Sequence, residues 1–103
     1  MNALDALGNP TRREILELLN DEPLSVNEIA ARFDVSRPAI SRHLRVLTEA
    51  ELVARTPHGV RNVYAIRPEG FESARAYLER FWDDALPRFK LVAENLTENL
   101  EDT

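Results

Sequence analysis

The chain has 103 residues, 44% of them hydrophobic and 30% charged, with formal net charge −5 and a pI near 5.0. That length holds one domain with one core, and no apolar run approaches the roughly 20 residues that span a bilayer, so no membrane partner is expected. Cysteine is absent, which excludes disulfides and thiolate metal ligation; the N-terminus shows no export-signal pattern, and the cytoplasm is the expected location.

The charge is unevenly placed. Residues 1–68 carry nine basic and nine acidic side chains, whereas residues 69–103 carry four basic and nine acidic ones and account for the whole excess. Binding responds to the local field rather than to the net count, so an acidic chain can still present a basic face.

In chain order, Leu4 and Leu7 lie on a short leading helix. "NPTRREILELLND" follows, with Asn9 as N-cap and Pro10 at the first helical position, where its missing N–H costs nothing. Ile15, Leu16, Leu18 and Leu19 give this helix its apolar face. "SVNEIAARF" is a capping box between Ser25 and Glu28, with Ile29, Ala30 and Phe33 as the expected buried face. A tight turn of about three residues leads to Ser36, which caps a helix running to about Ala50. Ile40, Leu44 and Leu47 fall at i, i+4, i+7 and face the core. The period then changes. "LVARTPHGVRNVYAI" reads as two strands broken at Pro57-His58-Gly59, and Pro68 opens a last helix with an apolar stripe from Phe71 to Leu100. Pro87 is expected to kink or split that helix near Asp83–Leu86. The whole is mainly α with a small β-hairpin, in the order α-α-α-α-β-β-α. This is a winged helix-turn-helix, with residues 25–50 as helix-turn-helix and 52–67 as wing.

The helix after Ser36 has no acid before Thr48. Opposite its core residues lie Arg37, Pro38, Ser41, Arg42 and Arg45, a face of the size and charge that fits a major groove. Arg42 suits a bidentate contact to guanine and Ser41 a contact as donor or acceptor, while Ser36 and the free N–H groups beside it suit a phosphate. Arg45 suits the DNA backbone, which sets register without reading sequence. Arg55, His58, Arg61 and Asn62 decorate the hairpin, with no acid from Ala54 to Pro68, as a wing over phosphates requires. His43 borders the buried face and suits a phosphate, a backbone carbonyl or a base equally. A solvated arginine-rich face is the plainer reading of the helix by itself; its placement between a capped helix and a hairpin favours double-stranded DNA. Neither histidine has a partner at metal-ligand spacing, so no metal and no cofactor is expected.

The segments "LGNPTRREILELL", "LSVNEIAARFDVSRPAISRHLRVLTEAELV" and "HGVRNVYAI" resemble the arsenical-resistance-regulator (ArsR) family of winged-helix repressors over about residues 3–95, less closely in the last thirty. The resemblance implies a transcriptional repressor that binds a palindromic operator as a homodimer. It pairs through the first and last helices, segments 1–8 and 69–100, with Leu4, Leu7, Leu78, Phe81, Trp82, Ala85, Phe89 and Val92 at the interface. The apolar surface of the last helix supports such self-pairing independently, because one patch on a two-fold axis is complementary to itself; the plainer alternative is that the stripe folds back on the core of its own subunit. The resemblance has departures. Metalloid-sensing members carry a cysteine pair where this chain reads Ser25-Val26-Asn27, and zinc-sensing members carry histidine on the last helix, where this chain has none. Metal sensing of the known types is therefore not expected, which leaves open an unknown small-molecule or protein effector. Glu51 stands where the family usually has glycine. Catalysis is not expected, since the serines serve as caps or on an exposed face and no glycine-rich phosphate loop exists. The alternative function is a winged-helix protein-interaction module without DNA binding, whose reading face would carry acids or large apolar groups.

Overall fold

The computed structural model describes residues 1–101, with side chains through Thr97, so Leu100 of the expected apolar stripe lies outside the described side chains. It comprises two compact units, residues 1–72 and 73–103.

The first unit is built from local signals that agree with one another. Helix α1 (Ala3–Leu7) is closed by a capping box between Asn2 and Asp5, and α2 (Pro10–Asp21) by Asn9, whose side chain accepts the Arg12 N–H. A two-residue strand, β1 (Leu24–Ser25), leads into α3 (Val26–Ala30), where the Glu28 N–H donates to Ser25 Oγ and the Ser25 N–H to the Glu28 carboxylate. After residues 31–36 comes α4 (Arg37–Glu49), capped by Ser36 Oγ, which accepts the Ala39 N–H. Strands β2 (Val53–His58) and β3 (Arg61–Ile66) form the hairpin, and a 3-10 turn at Pro68–Phe71 ends the unit. Ile15, Ile29, Ile40, Leu44, Leu47 and Leu52 are fully buried and form the core. Each such side chain contributes about 1.5–3 kcal/mol by leaving water.

The element order is the expected one with additions. Strand β1 pairs antiparallel with β3, Leu24 opposite Tyr64 and Ser25 opposite Val63, so the sheet has three strands in the order β1-β3-β2. The hairpin is tighter than expected: Pro57 and His58 belong to β2, paired with Asn62 and Arg61, and the loop is Gly59-Val60 alone. Pro57 is tolerated because β2 is an edge strand. Gly59 at φ +66° supplies the positive φ that a two-residue hairpin loop requires at its first position. The turn before α4 is longer than the three residues expected, because α3 stops at Ala30; Ala30 and Phe33 are half-buried rather than core.

Two closures hold the ends of these elements. The C-terminal carbonyls of α1 are bound by arginines from α2: Arg12 Nε donates to the Ala6 carbonyl at 2.7 Å and Arg13 Nη1 to that of Leu7 at 2.8 Å. Helix α4 ends in a Schellman arrangement, the Leu52 N–H donating to the Leu47 carbonyl and the Glu51 N–H to that of Thr48, both at 3.0 Å. Glu51 sits at φ +63°, so the left-handed position persists without its usual glycine. Gly70 packs on this corner, and a Cβ there would lie 1.8 Å from the Glu51 carbonyl oxygen.

Helix α5 (Glu72–Glu101), 30 residues long, begins at the last residue of the first unit and makes up the described part of the second. Pro87 lies inside it, and the helix is not split near Asp83–Leu86 as expected. Proline removes one rung and crowds one carbonyl, and the flanking Ala85, Leu86, Arg88 and Lys90 are strong helix formers that carry the helix across the gap. Pairs one turn apart support it: Arg75 with Glu79 at 2.6 Å, and Tyr77 with Phe81, edge to face with ring centroids 5.0 Å apart. Leu78, Trp82, Ala85, Phe89, Val92 and Leu96 alternate four and three residues apart, the spacing of a coiled-coil seam, with Pro87 on the opposite side. All are exposed, Trp82 at 65% and Phe89 at 71%. No helix among the described residues is long and apolar enough to cross a membrane.

Candidate nucleic-acid interface

Helix α4 sorts its side chains by face. Ile40, Leu44 and Leu47 are fully buried, while Arg37, Pro38, Arg42 and Arg45 are exposed and Ser41 and His43 half-buried. Three arginines and no acid therefore occupy the outer surface from Ser36 to Thr48. The helix can afford this because core burial and caps stabilise it without ion pairs on that surface.

The expected contact residues fall into two clusters and a remainder. One groove, of about 370 Å³, is lined by Ser41, Arg45, Thr48, Glu49, Arg55 and Tyr64, so it brings the middle of α4 against the hairpin. Arg55 lies opposite Tyr64 in the strand register. A smaller groove, of about 170 Å³, is lined by Ser25, Val26, Asn27, Arg37, Val60, Arg61 and Asn62, where the start of α3, the start of α4 and the hairpin tip meet. Ser36, Pro38, Arg42, His43 and His58 line neither groove. Ser36 Oγ is engaged as the N-cap, and His58 is exposed beside the hairpin loop.

Several side chains at this surface were not anticipated from sequence. Asn27 Oδ1 accepts a hydrogen bond from Arg37 Nε at 2.6 Å. Glu28 lies 4.0 Å from Arg61 Nη1, and its carboxyl is held below the usual carboxylate range, first by the Ser25 backbone N–H and then by the Ser25 hydroxyl, with Arg61 a smaller contribution. Tyr64 and Thr48 line the larger groove, and the Thr48 hydroxyl donates to the Leu44 carbonyl. A polar residue early in α3 gives no periodic or motif signal of reaching α4, because the contact depends on the angle between the helices. His43 is pushed below the ordinary histidine value by burial and then by the Arg12 and Arg42 charges, so it is neutral at pH 7. In that state it can donate one hydrogen bond and accept another.

No group of three or more His, Cys, Asp or Glu side chains among the described residues is arranged to hold a metal ion. At the start of α3, Ser25 is engaged in capping and Asn27 in binding Arg37. A hydroxyl, an alkyl and an amide group at positions 25–27 do not fit a thiophilic ion.

On the expected dimer surfaces, Leu4 and Leu7 are half-buried, with Ala3 and Ala6 the buried residues of α1. Leu78, Phe81, Trp82, Ala85, Phe89 and Val92 are all exposed on α5.

A family model described as "Bacterial regulatory protein, arsR family" matches residues 9–55. Over 93 residues the chain is 49% identical to the HTH-type transcriptional regulator Rv2034 of Mycobacterium tuberculosis, covering 90% of this chain and 87% of that protein. It is 42% identical over 53 residues to the transcriptional repressor SdpR of Bacillus subtilis, which covers 52% of this chain and 59% of the repressor. Among solved structures, the crystal structure of a possible transcriptional regulator for arsenical resistance matches with a TM-score of 0.76 and 44% identity, covering 91% of this chain and 96% of the other. The solution structure of a homodimeric winged helix-turn-helix DNA-binding domain, fragment 1–100 of Mb0332 from Mycobacterium bovis, matches with a TM-score of 0.62 and 28% identity, covering 82% and 78%.

Proposed function

The chain belongs to the arsR family of bacterial regulatory proteins, and from that premise we propose that it represses transcription by binding a palindromic operator as a homodimer. The observation that carries this reading is the outer face of α4: Arg37, Arg42 and Arg45 stand exposed with no acid among them, on a helix whose other face is fully buried. Such a helix presents its first turns to base edges in the major groove. Arg37, Ser41, Arg42 and His43 read bases, with Ser36 and Pro38 at the entering end. Arg45, Arg55, His58, Arg61 and Asn62 take phosphates or the minor groove.

The α5 seam supports the dimer. Leu78, Trp82, Ala85, Phe89 and Val92 form a continuous apolar stripe that a second copy covers by symmetry, with Phe81 beside it and α1, through Leu4 and Leu7, adding to the interface. Two such faces about 34 Å apart engage successive major grooves. The acidic residues of α5 then limit nonspecific binding, which is almost purely electrostatic. The chemistry of positions 25–27 does not fit the metalloid type of sensing, which leaves a small molecule of another kind or a second protein as the candidate effector.

Selection from random duplex DNA tests the reading. Enrichment of a palindrome is the expected result. Arg42→Ala then weakens its binding by about 1–3 kcal/mol and relaxes one base pair of each half-site. No enrichment at low salt by folded, dimeric protein would overturn DNA recognition and favour a protein-interaction module.

A further inference from the structure

Arg37 differs from the other arginines of the α4 face in how it is held. Its Nε–H donates to Asn27 Oδ1 at 2.6 Å, whereas no hydrogen bond or ion pair restrains Arg42 or Arg45 among the described residues. Asn27 is itself well anchored as the second residue of α3, a helix closed by the reciprocal Ser25–Glu28 cap and seated by the fully buried Ile29. The acceptor is also neutral. A carboxylate in its place would hold the side chain but cancel part of the guanidinium charge. An amide fixes the side chain and leaves the charge intact.

The geometry points to Asn27 as a positioning residue for base recognition, acting through Arg37. This rests on the DNA-binding reading above and deepens it. With Nε occupied, the two Nη groups remain as a parallel pair of donors, which is the arrangement that meets O6 and N7 of guanine end-on. An arginine aimed beforehand loses less rotamer freedom on binding. Arg37 therefore discriminates its base pair more sharply than an arginine that must be ordered by the DNA, and α3 sets the aim of a residue it does not carry.

The test uses the full chain and the operator the parent selects, scoring every single-base variant of one half-site against the parent, Arg37→Ala, Asn27→Ala and their double variant. Arg37→Ala is expected to flatten one guanine preference by about tenfold or more. Asn27→Ala should flatten that same base pair by roughly two- to tenfold and leave the other positions and the salt slope unchanged. The double variant should lose no more than Arg37→Ala alone. Asn27→Asp keeps the acceptor, so it retains the preference while lowering affinity for all sequences. A uniform loss across positions in Asn27→Ala, additive losses in the double variant, or an Arg37→Ala that flattens no position would each overturn the inference while leaving operator binding intact. A parent that selects no sequence would instead overturn the DNA-binding reading, and the inference with it.

Discussion

The two units of this chain treat apolar residues in opposite ways. In residues 1–72 Ile15, Ile29, Ile40, Leu44, Leu47, Leu52 and Val53 are fully buried, and that unit closes its own helix ends with side chains or backbone. In α5 an equally regular series, Leu78, Trp82, Phe89, Val92 and Leu96, is more than half exposed. One unit has a core of its own; the other has the sequence of half a core. Exposed single hydrophobic residues need no explanation, whereas a continuous stripe at coiled-coil spacing is what the proposed intersubunit seam requires. Stability in the first unit is thus intramolecular, and on the proposed reading that of the second depends on protein concentration.

Truncating one side chain in each unit separates the two kinds of burial. Leu44→Ala removes a fully buried side chain and should cost about 3 kcal/mol, read as a lowered urea midpoint at any protein concentration. Trp82→Ala should leave the fold of the first unit unchanged and weaken self-association by about 2 kcal/mol, some thirtyfold in the dimer Kd by sedimentation equilibrium. If Trp82→Ala instead lowers the urea midpoint equally at all concentrations, the stripe is not an intersubunit seam.

A smaller effect of the opposite sign comes from the corner after α4. Glu51→Gly removes a non-glycine residue from φ +63° and should raise stability by about 1 kcal/mol, measured by the same denaturation. Its exposed ion pair with Arg67, at 3.5 Å, contributes little that would be missed.

The smallest effect is a pH dependence in the first unit, carried by His43. The folded pKa of His43 lies below its unfolded value of 6.5. As pH falls through that value, the unfolded chain takes up a proton that the folded chain resists. The urea midpoint should therefore be lower at pH 5.5 than at pH 7, and His43→Asn should reduce the difference. Glu28 acts in a separate window: its lowered carboxyl pKa adds stability above its ordinary value of 4.5, which is lost as pH falls through the folded pKa beneath it.

What was legible in the sequence divides along a physical line. The caps at Asn9, Ser25 and Ser36 and the buried spacing of Ile40, Leu44 and Leu47 are local, and each takes the expected form, while the turn at Gly59 is present but shorter than its Pro57-His58-Gly59 signal implies. Strand β1 was not legible. Its two residues acquire a strand identity only by pairing with Val63 and Tyr64, far along the chain. Nor did composition separate arginines with different duties. Arg12 and Arg13 hold carbonyls of α1, and Arg37 is aimed by Asn27, yet nothing in their sequence neighbourhoods distinguishes them from Arg42. Pro87 does not split α5, because one missing rung matters less than the helix-forming residues on either side of it.

On the proposed reading, a chain of net charge −5 binds DNA through a local basic face. The most direct test is the salt dependence of its affinity for the selected duplex. A steep, linear fall of log K with log salt is expected, and Arg61→Ala should flatten the slope by about one unit. A flat line, or a slope unchanged by removing arginines from α4 and the hairpin, would contradict it.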